Sequence, residues 1–473
     1  MAAMLKTSKR VDWVIIVLYL TLVTMGWFSI FSATYEPNTT DFTRFAHSYV
    51  KQIIWIGLAL TLALLAVQID TKFYSVFSFY IYGLAMLLLV IVLFVGTKVN
   101  GARSWFELGG FRLQPAEFAK LGTTLAIARI LSGYGVNLRS RQTILKLLAI
   151  VVVPFLLIIK QNDTGSALVY ASFLLVFYRE GMPGEFLLIG TSLIILFISV
   201  LLSSLLYVEI GVLIFVLLIF FIIQRDLRTL LIATSIITLL IALVWAASYF
   251  TKLNWALENI IAICSIVSIL AFWIWAFRRR LRYIYFLLFF AFSAISFSYS
   301  VNYFFQNMLG THQQNRINVL LGIETDPRGI GYNVHQSKVA IGSGGLSGKG
   351  FLEGTQNKGS FVPEQSTDFI FCTIGEEWGF IGSTFVLLVF GAFIARTIQL
   401  AERQRSTFSR VYGYSVASII FFHLFVNIGM TIGLMPVIGI PLPFFSYGGS
   451  SLIAFTILVF IFIRLDTSRD EIL

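Results

Sequence analysis

Glu117 and Lys120 stand three residues apart in the stretch GlnProAlaGluPheAlaLys, Gln114 to Lys120, where an apolar run begins. That spacing puts both on one face of a helix. Charge at membrane depth is costly and faces a cavity or a partner, so the pair reads either as a structural ion pair or as a ligand-binding pair. Just ahead, AsnGlyAlaArgSerTrpPhe (100–106) carries Arg103 and Trp105. A guanidinium suits phosphate through bidentate hydrogen bonds, and the indole is an interface anchor or a platform for a sugar ring. LysGlnAsnAspThrGlySer (160–166) sets Lys160 and Asp163 in a short hairpin, where Asp163 also reads as the cap of the next helix. Glu376 and Glu377 fall about two turns into the run that opens at Thr367. Adjacent carboxylates do not share a helix face, so at most one of them looks into a given cavity.

The charged, glycine-rich stretch GIETDPRGIGYNVHQSKVAIGSGGLSGKG, Gly322 to Gly350, holds the other candidates. Asp326 precedes Pro327, which restricts the backbone beside it; it is a candidate general base or an Asx-turn aspartate. Arg316, Arg328, Lys338 and Lys349 surround it in sequence and would oppose the charge of a departing phosphate. GlySerGlyGlyLeuSerGlyLysGly (342–350) is not a Walker A loop, because Ser343 and Gly350 break the Gly-four-Gly-Lys-Ser/Thr pattern. Its glycines either bring amides to a phosphate or make a tight turn against neighbouring helices.

The elements that must hold these residues are membrane helices. The 473-residue chain is 58% hydrophobic and 12% charged, about half the charge of a soluble domain. It reads as one integral membrane domain, 1–473. At roughly 20 apolar residues per span, about fourteen spans are expected, near 13–33, 50–68, 74–96, 115–133, 143–160, 164–179, 186–206, 210–223, 229–250, 258–277, 283–304, 369–395, 411–436 and 445–464. The run from Trp13 to Phe31 is longer than a signal-peptide core and reads as an uncleaved span. With Lys6, Lys9 and Arg10 inside, the Lys and Arg of the short loops at 72, 139–141, 179, 225–228, 278–282, 396–405 and 464 also fall inside. Both termini are then cytoplasmic, and 305–368 is one large extracytoplasmic loop. The net charge of +11 sets orientation, and no nucleic acid partner is expected. Cys264 and Cys372 lie in apolar runs, and His47, His312, His335 and His423 show no zinc spacing.

Between Asn427 and Ser450 three prolines and several glycines interrupt any long helix. Irregular backbone at membrane depth needs protein or water to satisfy it, so the run, with Ser446 in SerTyrGlyGlySer, reads as a re-entrant cavity wall, a kinked helix being the alternative. Glu117, Lys120, Asp163, Glu376 and the long loop all map to one membrane face. A transporter would place ionisable groups nearer the midplane; an enzyme acting on a lipid-linked substrate would place them at a face.

These stretches resemble the SEDS family of shape, elongation, division and sporulation proteins, the RodA/FtsW type. The likeness rests on 101–106, 114–120, GlnAsnAspThrGlySerAla (161–167), AspProArgGlyIleGlyTyrAsnValHisGlnSer (326–337), GlySerGlyGlyLeuSerGlyLysGlyPhe (342–351), ProGluGlnSerThrAspPheIlePhe (363–371) and the 433–450 run. The loop with GlyThrGln at 354–356 is nearer the elongation-type RodA. The resemblance implies a SEDS-type helical bundle and an inverting peptidoglycan glycosyltransferase of cell elongation. It implies lipid II as substrate, Asp326 as the essential loop aspartate, Glu117 and Lys120 as cavity residues, and a divalent cation (Mg²⁺ or Mn²⁺) at Asp326. It also implies a class B penicillin-binding protein and other elongation-machinery membrane proteins as partners, in the bacterial cytoplasmic membrane. Two departures stand out: Asn162 replaces a common proline, and the family's ten spans leave about four extra at 186–280. The rival readings are a lipid II flippase, a polymerase or ligase acting on a different polyprenyl-linked glycan, and a non-catalytic scaffold.

Overall fold

The computed structural model describes residues 11–35, 47–99, 101–108, 111–225, 227–250, 257–279, 282–307, 314, 318, 332–358, 361–435 and 437–469. The chain divides into two compact units, Met1–Gly184 with Pro327–Leu473, and Glu185–Asp326.

The first unit opens with α1 (Trp13–Thr34), whose first turn is capped by the Asp12 carboxylate accepting from the Ile15 amide. There follow α2 (Ser48–Gln68), the short α3 (Thr71–Val76) and α4 (Ser78–Val95). Then β1 (Thr97–Val99), β2 (Ala102–Leu108) and β3 (Phe111–Leu113) form an antiparallel sheet in the order β1-β2-β3. Trp105 pairs with Thr97, and Glu107 with Arg112. Sequence reading foresaw no strands here, since two of them have three residues and no alternating pattern can show at that length.

Next come α5 (Pro115–Leu131), α6 (Arg141–Lys160), α7 (Thr164–Leu168), a 3₁₀ turn and α8 (Phe173–Arg179). Proline at the first position and Glu117 in the first turn both favour the start of α5. Its face of Ala116, Ala119, Gly122 and Ala126 is small enough for close helix approach; a Cβ on Gly122 would lie 3.1 Å from the Tyr82 Cα in α4. Most of α5 is buried.

The second unit consists of α9 (Gly184–Leu202), α10 (Leu205–Gln224), α11 (Leu227–Phe250), α12 (Leu257–Arg279) and α13 (Arg282–Asn307). Val212, Phe220, Ala262, Ile269, Ala276 and Leu287 are among the residues of its core. The segment 186–280 lies inside this unit.

Back in the first unit are α14 (Tyr332–Ser343), α15 (Thr355–Lys358), α16 (Ile370–Glu402), α17 (Thr407–Thr431) and α18 (Gly449–Thr467). Helix α18 packs on α2, α16 on α1, α14 and α17, and α17 on α5. Among the described residues twelve helices are long and apolar enough to cross a membrane. Two of the fourteen expected spans are not among them. Helix α5 has 17 residues and carries Glu117, Lys120 and Arg129, and Thr164–Arg179 is a shorter apolar stretch. The run expected to break does so: α17 ends at Thr431 and α18 begins at Gly449, with no helix among the described residues between them.

Candidate functional site

Helices α5, α17 and α18 bring together a buried charged cluster. The Lys120 ammonium lies 2.9 Å from Glu117 Oε1 and 2.8 Å from Oε2. It also lies 2.9 Å from His423 Nε2 and 4.9 Å from the centre of the Phe455 ring. Glu117 and Lys120 are each 2% exposed and His423 1%. Leu121, Ile419, Ala454 and Leu458 complete the walls of a cavity of about 10 Å³ beside the pair, room for about one water. In this conformation the pair is closed off. The expected partnership of Glu117 and Lys120 is present; His423, which sequence reading left without a role, is its third member.

A second cluster forms where the glycine-rich loop meets α16. Gly379 has φ 61° and ψ −156°, a backbone region open only to glycine, and the helix is broken there. The loop fills the break. Phe380 N donates to Gly345 O (2.9 Å) and Ile381 N to Leu346 O (3.1 Å), while Lys349 N donates to Glu376 O and Gly350 N to Glu377 O, both 3.0 Å. The loop amides of Lys349 and Gly350 thus meet helix carbonyls. A Cβ on Gly344 would lie 1.9 Å from Gly375 O, and one on Gly348, where φ is +80°, 2.0 Å from Glu377 O. The glycines are there because the backbones touch.

The same docking carries charge. Lys349 Nζ is 2.8 Å from Glu376 Oε1 and 2.7 Å from Thr355 Oγ1, and Glu376 Oε1 also accepts from Gln356 N at 2.9 Å. Glu376 is fully buried, whereas the Lys349 side chain keeps 27% of its surface. Glu377 turns the other way, to the Ser32 hydroxyl of α1.

The remaining expected residues that the structure describes lie apart from these two clusters, in the first unit. Asp163 caps α7, accepting from Ser166 N (3.0 Å), and takes Gln114 Nε2 at 2.6 Å. Ser446 donates to Thr367 O (2.6 Å) and accepts from Leu442 N (2.8 Å), so it braces the broken segment. Arg103 lies on β2, exposed, with one guanidinium nitrogen 3.3 Å from Leu93 O, and Trp105 is half-buried. Lys338 is exposed on α14 beside Gly433. Asp326, Arg316 and Arg328 lie outside the described residues. Among the described residues no group of three His, Cys, Asp or Glu side chains is placed to hold a metal ion.

Sequence reading gave Asn427 no role and offered Asp368 only as a cap for α16; the cap position is held by Phe369, and no side chain caps the helix. Asn427 Nδ2 donates to Asp368 O (2.8 Å) and Ile440 O (2.7 Å), tying α17 to the broken segment and to the residues before α16. The Asp368 carboxyl is pushed up to about 7 by burial, then by the nearby carboxylates of Glu364 and Asp163. A polar Asn in an apolar run was the available signal for this tie; the partners of a backbone carbonyl are not written in sequence.

Fold and cluster define a polytopic α-helical membrane protein whose charged residues are gathered at helix ends and braced by a broken helix pair. Residues 12–210 and 261–471 match the model of the FtsW/RodA/SpoVE cell cycle proteins, and the chain belongs to that family. It is 30% identical over 442 residues to the peptidoglycan glycosyltransferase RodA of Treponema pallidum, covering 93% of this chain and 94% of that one. It is 29% identical over 403 residues to the peptidoglycan glycosyltransferase MrdB of Escherichia coli K12, covering 85% and 81%. A chain in a solved peptidoglycan synthase complex has the same fold, with a TM-score of 0.63, 24% identity and 98% and 99% coverage. So has the rod shape determining protein RodA of Thermus thermophilus, with a TM-score of 0.57, 23% identity and 98% coverage of both chains. The 211–260 stretch that the family model skips falls in the second unit.

Proposed function

We propose that this chain is a peptidoglycan glycosyltransferase of cell elongation that polymerises lipid II at the outer face of the cytoplasmic membrane, with both termini in the cytoplasm. The observation that carries the reading is family membership over most of the chain, together with relatives named for that activity that match over 94% and 81% of their length. The acceptor sugar hydroxyl attacks the anomeric carbon of the donor, the lipid diphosphate leaves, and the configuration inverts. Asp326 takes the hydroxyl proton. Cationic side chains oppose the charge growing on the diphosphate; Lys349, partly exposed and already held by Glu376, and the exposed Lys338 and Arg103 are suited to this. The buried Glu117–Lys120 pair reaches a substrate only if its cavity widens.

A class B penicillin-binding protein that crosslinks the new strand is the proposed partner, alongside other membrane proteins of the elongation machinery. A divalent cation at Asp326 belongs to the same proposal. Loss of polymerisation on chelation, restored by Mg²⁺ or Mn²⁺, supports it; indifference to chelation removes it.

The test is polymerisation of lipid II by the purified chain with a class B partner whose crosslinking serine is disabled, run beside Asp326→Asn. Glycan strands with the wild type and none with the variant are expected. Movement of lipid II across vesicle bilayers without glycan synthesis would hand the function to a flippase; strands from both proteins would remove Asp326 from its role.

A further inference from the structure

We propose that His423 is a positioning residue for polymerisation, holding the Lys120 ammonium in one place and in one hydrogen-bonding state. The inference rests on the glycosyltransferase reading above. Its basis is the direction of two hydrogen bonds. His423 Nδ1 is 3.1 Å from Pro441 O, and Nε2 is 2.9 Å from Lys120 Nζ. A carbonyl only accepts and an ammonium only donates. The proton therefore sits on Nδ1, and Nε2 offers its lone pair to Lys120. The ring is neutral, which suits its full burial beside a cation.

The ammonium is thereby fixed from three sides. Glu117 takes it on the α5 side, His423 on the α17 side, and the Phe455 ring of α18 lies beneath it. The imidazole is itself held, edge-to-face against Phe455 with 4.8 Å between ring centres. Pro441, its anchor, follows Ile440, whose carbonyl accepts from Asn427 one turn beyond His423 on α17. Two side chains of one helix face thus grip successive carbonyls of the broken segment. Movement of that segment pulls on His423 and, through it, on Lys120. Without His423 the ammonium keeps Glu117 alone among these acceptors, and its position is no longer tied to the segment.

Two near-isosteric variants separate this role from plain packing. His423→Gln puts an acceptor where Nε2 was, and His423→Asn keeps a donor where Nδ1 was. Steady-state polymerisation of lipid II by the full chain with its class B partner is measured for both, alongside thermal unfolding. The positioning role expects His423→Gln to recover kcat to within about fivefold of wild type. It expects His423→Asn to lose roughly 10- to 100-fold in kcat, the range of one hydrogen bond to a charged group, with KM moved less than about threefold. His423→Asn at the wild-type rate, or equal losses in both variants, overturns it.

A second readout needs no turnover. In ¹⁵N-histidine NMR of a chain with four histidines, the signal absent from His423→Gln is expected to show a protonated Nδ1 and a bare Nε2. The Nε2 resonance should shift in Lys120→Met. A proton on Nε2, or no response to Lys120→Met, overturns the contact itself. If wild type makes no glycan at all, the functional reading fails and takes the positioning role with it, while the NMR result still decides whether the contact exists.

Discussion

Substituting alanine for Gly348 asks whether the glycine-rich loop is built for contact with α16. The backbone there has φ +80°, and a Cβ would stand 2.0 Å from Glu377 O, 2.4 Å from Glu377 C and 2.6 Å from Trp378 Cα. All three are backbone atoms of a helix and cannot rotate aside. Relief to an ordinary contact of 3.4 Å moves the loop by about 1.4 Å, enough to break the bonds from Lys349 N and Gly350 N to the Glu376 and Glu377 carbonyls. Two such bonds are worth about 0.5–1.5 kcal/mol each, and a left-handed alanine costs about 1–2 kcal/mol more. The expected loss is about 2–5 kcal/mol of loop docking. Gly342→Ala is the control, since nothing lies within 4 Å of its Cβ position and its φ is not positive. In limited proteolysis Gly348→Ala should be cut within 344–358 far sooner than Gly342→Ala, and its polymerisation rate should fall because Lys349 leaves Glu376. Equal proteolysis of the two variants would refute the docking argument, and with it the reason offered for the glycines.

Asp368→Asn tests the raised carboxyl. A folded-state value of about 7, above the usual carboxylate range, means that folding takes up a proton, so stability falls as pH rises toward 7; the variant should flatten that part of a thermal-midpoint profile between pH 5 and 7.5. Lys349→Met takes away the countercharge of the fully buried Glu376 carboxylate, leaving it the Gln356 amide and the Thr355 hydroxyl as donors, and should lower thermal stability more than Glu376→Gln does, because breaking a buried ion pair on one side costs up to about 3–5 kcal/mol and a neutral amide far less. Lys120→Met paired with Glu117→Gln should recover much of the stability lost by either single change. If the recovered protein still polymerises lipid II at the wild-type rate, the pair is structural only. Asn162 sits at φ 60° with its amide donating to Ile159 O, so Asn162→Pro should destabilise by more than about 1 kcal/mol and Asn162→Gly much less, measured as the thermal midpoint.

The proline expected at position 162 shows where sequence reading stops and why. Proline fixes φ near −65°, so a chain carrying Asn there has taken a different turn between α6 and α7, one with a left-handed residue. The substitution was visible in the sequence, but its meaning needed the dihedral. Span positions were legible because lipid imposes one dominant rule of length and hydropathy. Helix α5 stands at the edge of that rule, with 17 residues and with Glu117, Lys120 and Arg129, because most of its surface is covered by protein. Glu117 and Lys120 were legible as a pair because helix periodicity is local. His423 was not, because its link to Lys120 crosses 303 positions and two helices, and no local pattern encodes a distance of that kind. The same limit explains the glycine run. Sequence left it open between cradling a phosphate and packing tightly, and the choice depended on a break at Gly379 some thirty positions further on. A broken helix exposes amides and carbonyls that must be satisfied inside a membrane protein. The loop satisfies them, which commits Lys349 and Gly350 N–H groups to Glu376 and Glu377 carbonyls and leaves the Lys349 side chain, held by Glu376, as the loop's charged contribution at this end of the bundle.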